Sequence, residues 1–110
     1  MIDMKPYVQW KKDDYILRVF HPQVDNDELV WHRDKNDRLV EVVDSDGWLF
    51  QFDNEFPYQL VSGMILRIDA DKYHRILKSD DCGILSVKIY EGKQYAASND
   101  KNSFKKLEKN

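Results

Sequence analysis

The sequence predicts an all-β domain, a sandwich or barrel built from about eight short strands. Short runs rich in β-forming residues recur along the chain, some alternating at a period of two, and turn-forming clusters separate them at close, even spacing. A third observation sets the scale. With 110 residues, 42% of them hydrophobic and 13% aromatic, the chain can pack one core and little more.

Residues 1–14 carry Pro6 and the charged run Lys11-Lys12-Asp13-Asp14, and are expected to form an extended or loosely helical arm anchored by Tyr7, Val8 and Trp10. From Tyr15 to His21 the alternation is regular, with Tyr15, Leu17 and Val19 on one face and Ile16, Arg18 and Phe20 on the other; Pro22 stops the strand. An acidic turn, Asp25-Asn26-Asp27-Glu28, leads to a short strand at 29–32, on which Val30, His32 and Asp34 share a face. Lys35-Asn36-Asp37 reads as a reversal before a strand at 38–44, whose Leu39, Val40, Val42 and Val43 make it apolar on both faces and so expected to be covered on both. Asp46-Gly47 is a hairpin signal. It precedes a strand at 48–53 with Trp48, Phe50 and Phe52 on one side.

Further strands are expected at 58–61, 64–68, 74–78 and 84–90, separated by turns at Asn54 to Pro57, Ser62-Gly63, Asp69 to Lys72 and Ser79 to Gly83. After Glu91 the composition becomes polar; residues 96–110 read as a solvated tail with a frayed helical turn around Phe104 to Leu107. The expected organisation is an arm at 1–14, a barrel at 15–91 and a tail at 92–110, with no internal repeat.

Charge and composition narrow the function classes. A formal charge of -3 and a pI near 5.5 argue against nucleic acid or an anionic membrane as partner, and the tail lysines 101, 105, 106 and 109 are too few and too mixed with acids to reverse that. No stretch has the apolar length of a membrane span, and the N-terminal residues lack a signal-peptide layout. Cys82, the single cysteine, cannot form an internal disulfide, so a reducing cytoplasm is the expected compartment.

The chemistry-bearing residues lie between Trp31 and Lys78. His32 and Asp34, two apart on a strand, leave the same face, and His74 opens a strand some forty residues later. Two imidazoles and one carboxylate on one side of a pocket suit a divalent metal such as Fe(II), with positions left open for substrate. The competing reading is a pair of half-buried histidines hydrogen-bonded to neighbours. Arg38 can pair with Asp34 or clamp a substrate anion, but it cannot ligate a cation. Gln51, Tyr58 and Tyr73 are polar-tipped candidates to orient a ligand, with Gln51 and Tyr73 preferred beside Arg38. Glu41 should face away from Arg38's side of its strand, as should Arg33 and Arg75 from the pocket. Trp31, Trp48, Phe50, Phe52 and Phe56 read mainly as core and sheet packing.

This stretch resembles the cupins, small β-barrels of the double-stranded β-helix, or jelly-roll, type. In the family's first motif, His32 stands at the first His, Asp34 at the second His, Arg38 at the Glu and Gly47 at the closing Gly. In the second motif Gly63 and His74 stand at the family's spacing, while Asp69 replaces a Pro, Asp71 a Gly and Lys78 an Asn. Two of the family's four usual ligands are therefore retained, and Asp34 is the substitute oxygen donor. The resemblance implies Fe, Mn, Ni or Zn held by His32, Asp34 and His74.

Three functions follow from this reading. One is a metal-dependent oxidoreductase or dioxygenase acting on a small anionic substrate positioned by Arg38. Another is a metal-free cupin that binds a small ligand or serves in an assembly, including a homodimer. The third is a sugar-nucleotide isomerase or epimerase.

Overall fold

In the computed structural model of the chain, residues 6–25 and 29–95 are described, so the expected turn at 25–28, apart from Asp25, and the expected helical turn at 104–107 lie outside the described residues. The strands are β1 (Tyr7–Lys11), β2 (Ile16–Phe20), β3 (Arg38–Ser45), β4 (Trp48–Phe52), β5 (Tyr58–Gln59), β6 (Ile65–Ile68), β7 (His74–Lys78) and β8 (Leu85–Glu91), followed by one 3-10 turn, Lys93–Tyr95. No described helix is long and apolar enough to cross a membrane.

A five-stranded antiparallel sheet, ordered β1-β2-β8-β3-β6, faces a three-stranded antiparallel sheet, ordered β5-β4-β7. The alternation read in the sequence decides which residues meet between them. Val40 and Val42 from β3, Leu66 and Ile68 from β6 and Leu85, Val87 and Ile89 from β8 turn inward. Trp48 and Phe50 from β4 face them, and all nine are buried. Each such side chain contributes roughly 1.5–3 kcal/mol through its removal from water. Leu39, on the opposite face of β3, is also fully buried; its register partner Tyr90 packs there in a row with Tyr15 and Tyr95. The strand is thus covered on both faces at Leu39, Val40 and Val42, whereas Val43, at the irregularity before Asp44, is exposed.

Three elements differ from expectation. Tyr7–Lys11 is an edge strand, hydrogen-bonded along its length to β2, so this part of the arm belongs to the sheet. Residues 29–32 do not form a strand; the segment touches the smaller sheet by one bridge, His32 to His74, because only that residue exchanges both backbone bonds with a partner (3.0 and 2.9 Å).

Asp46-Gly47, finally, does not close a hairpin, since β3 and β4 lie in different sheets. Its carbonyls accept instead from the β7–β8 turn, Gly47 O from Ser79 N at 2.8 Å and Asp46 O from Gly83 N at 2.9 Å. The local Asp-Gly preference for a reversal is met, but the chain leaves the reversal for the other layer.

Candidate metal centre

The bridge between His32 and His74 is what assembles the site. Residues that exchange both backbone hydrogen bonds across an antiparallel pair project their side chains to the same face. The two imidazoles accordingly meet with ring centroids 4.3 Å apart. Asp34 follows two residues later and emerges on the same side, its carbonyl held by Asp71 N at 2.7 Å. His74 is 4% exposed and stacks on Phe50, whereas the His32 ring is half exposed. One ligand atom from each of the three residues lies within 4.8 Å of the others.

Both histidines have their tautomer set by what lies behind them. His32 Nδ1 is 3.1 Å from Val30 O and His74 Nδ1 is 2.8 Å from Lys72 O. A carbonyl only accepts, so each Nδ1 carries a proton and each ring turns its Nε2 toward Asp34. That arrangement is the one in which an imidazole serves as a metal ligand. His74 Nε2 stands 3.4 Å from Asp34 Oδ2, which is buried and has no hydrogen-bond partner. A lone pair facing a carboxylate oxygen is unfavourable unless a proton or a cation sits between them. Two nitrogen donors and one oxygen donor match Fe(II), Mn(II), Ni(II) and Zn(II). The residues therefore fit a divalent metal.

Arg38 closes the other side of Asp34. Its Nη1 is 3.2 Å from Asp34 Oδ1, and its Nε donates to Glu91 Oε2 at 2.7 Å. Burial pushes the Asp34 carboxyl up, but His74, the Arg38 charge and the imidazoles together outweigh it and hold the group below its ordinary value. His32 is also held low, chiefly by burial, with His74 and Arg38 adding to the effect against the Val30 carbonyl and Asp34. Asp34 is thus an anion and His32 a neutral donor at pH 7. The ion pair and the metal site do not exclude each other, because Arg38 engages Oδ1 and leaves Oδ2 turned to His74.

The centre opens on a cavity of about 340 Å³ between the sheets. Val40, Val42, Leu66, Ile68, Val87 and Ile89 form its apolar wall, and Arg38 and Arg18 also face it. Gln51 and Tyr73 do not line it. Gln51 accepts from Arg75 Nε at 2.9 Å and donates to Glu55 O at 2.8 Å, on the outer side of β4, and Tyr73 is 44% exposed beneath the Arg33 guanidinium. Tyr58 packs on Phe50, Phe56 is 91% exposed, and Arg75 covers the Trp31 ring on the outer surface.

Two participants were not singled out from the sequence. Glu91, which fixes Arg38, is 53 residues away from it and carries no local signal. Arg18 carries one: it stands between Ile16 and Phe20 on the inward face of β2.

Two facing antiparallel sheets with this strand order form a double-stranded β-helix, the fold found among cupins. Solved structures of that fold superpose on the chain. An RmlC-like cupin from Methanocaldococcus jannaschii matches with a TM-score of 0.59 at 12% identity, over 82% of this chain and 83% of its own. HppE with Fe(II) and substrate matches with a TM-score of 0.59 at 11% identity, over 84% of this chain and 56% of its own. The DMSP lyases RdDddP and RnDddQII give a TM-score of 0.57 at 20% identity, over 78% of this chain and 40% of the other. The chain thus spans about half the length of the two named enzymes. No family model and no curated protein matches the sequence.

Proposed function

We propose that this cupin binds a divalent metal through His32, Asp34 and His74 and acts as an oxidoreductase of the dioxygenase kind on a small organic molecule held in the cavity. The observation that carries the reading is the set of three donor atoms within 4.8 Å of one another, opening on a largely apolar cavity. The occurrence of an Fe(II) protein, HppE, among the structures sharing the fold supports it. A metal bound there supplies Lewis acidity and, when redox-active, one-electron chemistry toward dioxygen. The chain's own residues do the rest: Val30 O and Lys72 O aim the imidazoles, Arg38 positions Asp34, and the valine and isoleucine wall excludes water from the bound molecule.

The Arg38–Asp34 ion pair favours a second reading, a metal-free cupin that binds a ligand without chemistry. One experiment separates the two. Protein prepared anaerobically is offered Fe(II), Mn(II), Ni(II) and Zn(II), and metal content and melting temperature are read beside a His74→Ala variant. Near-stoichiometric uptake that raises the melting temperature, and is lost in the variant, supports the metal centre. No uptake, with melting unchanged by any metal, leaves the metal-free binder.

A further inference from the structure

Arg18 occupies a position where the fold calls for an apolar side chain. On β2 it shares the inward face with Ile16 and Phe20, and its register partner across the sheet is Val87, itself buried in the core. Among the described residues it makes no ion pair. Its Nε donates to the neutral amide of Gln9 at 2.9 Å, and the guanidinium carbon lies 4.0 Å from the Tyr7 ring centroid. Those contacts fix the plane and direction of the fork while leaving its terminal nitrogens without a carboxylate. Arg38, the other cation on the cavity, differs in this respect, being taken by Asp34 and Glu91.

Arg18 is half-buried on the cavity wall, and a cation held in a fixed orientation there without an ion-pair partner is placed to receive an anion. We propose that Arg18, rather than Arg38, is the anion anchor of the cavity, and that its ligand is a small organic monocarboxylate with an apolar body. This rests on the reading that the cavity is the substrate site of the metal centre. One guanidinium fork matches one planar carboxylate in bidentate fashion. A phosphate dianion would leave charge uncompensated against the valine and isoleucine wall, since no second free cation lines the cavity among the described residues. The apolar wall receives the body of the molecule, and the same cavity places it beside His32, Asp34 and His74.

The test uses hexanoate, with hexanamide as its neutral analogue, titrated calorimetrically into chelator-treated protein so that no metal can bind the carboxylate. The wild type is expected to bind hexanoate at least about ten-fold more tightly than hexanamide, the difference one charge-assisted hydrogen-bonded pair makes. Arg18→Met, which suits an interior strand position, should remove that preference while retaining the metal uptake of the wild type, because Arg18 is not a ligand. Equal binding of the two compounds by the wild type would overturn the proposal without requiring any variant to fold. So would a preference that persists in Arg18→Met, or one that appears only when metal is restored, which would place the carboxylate on the metal. If the chain takes up no metal at all, a preference for hexanoate in the metal-free protein still upholds the anchor.

Discussion

At Asp34 the two carboxylate oxygens have different occupations: Oδ1 meets Arg38, and Oδ2 meets His74 without a hydrogen bond. The division predicts how substitutions there behave. Arg38→Gln strands Asp34, which is 11% exposed, and loosens Glu91, so it should destabilise the metal-free protein by about 2 kcal/mol in urea unfolding. Asp34→Asn removes the anionic donor and should abolish metal uptake while keeping the fold. Acid should weaken the metal-free protein in two stages. His32 is held below 6.5 and Asp34 below 3.8, so each contributes stability present above that unfolded value and lost as pH falls through its folded one. The urea midpoint should therefore drop between pH 7 and the acid side of His32's folded value. That part of the drop should shrink in His32→Gln, which cannot titrate.

Among the elements, the turns carry the sharpest contrasts. Gly47 combines a φ of 82° with no room for a side chain, a Cβ there falling 2.5 Å from Ser79 Oγ and 3.1 Å from Cys82 Cα. Gly63 has a φ of 95° but open space around it. Gly47→Ala should therefore cost about 2–4 kcal/mol and Gly63→Ala only about 1 kcal/mol, compared by thermal unfolding. Asp71 holds a φ of 67° where the cupin motif has Gly, so Asp71→Gly should stabilise the loop before β7 by roughly 0.5–1 kcal/mol. Strands were legible in the sequence where alternation ran for five residues, as in β2 and β4, and in β3 from its run of Leu39, Val40, Val42 and Val43. The segment at 29–32 was not, because its single bridge is decided by where His74 lies rather than by its own pattern. The pairing of His32 with Asp34 was legible because a period of two sends both to one face, and the cupin motif spacing from Gly63 added His74. The engagement of Arg38 was not, since it depends on Glu91 arriving from β8.

For the molecule as a whole, most pairings join strands remote in sequence: β2 with β8, β3 with β6 and β8, and β4 with β7. Such topologies fold slowly because loop closure precedes the contacts that reward it. Refolding from urea should take on the order of milliseconds to seconds. Trp48, fully buried and donating Nε1–H to Gly83 O, is the natural fluorescence probe; Trp10 and Trp31, 49% and 40% exposed, contribute less to the change. Metal at a hundred times its dissociation constant should add about 2.7 kcal/mol to the unfolding free energy by mass action.

β8 lies between β2 and β3 in the larger sheet, yet it is the last strand of the described chain to leave the ribosome. Until it emerges, β1 and β2 have no neighbour to join, and Arg38 has no Glu91 to steady it. A nascent chain can bring His32 and His74 into register earlier, since both precede it, but the wall behind them is then still open to water. Vectorial synthesis therefore delivers His32, Asp34 and His74 first and their shelter last, and any metal uptake is expected to become stable only once β8 has emerged.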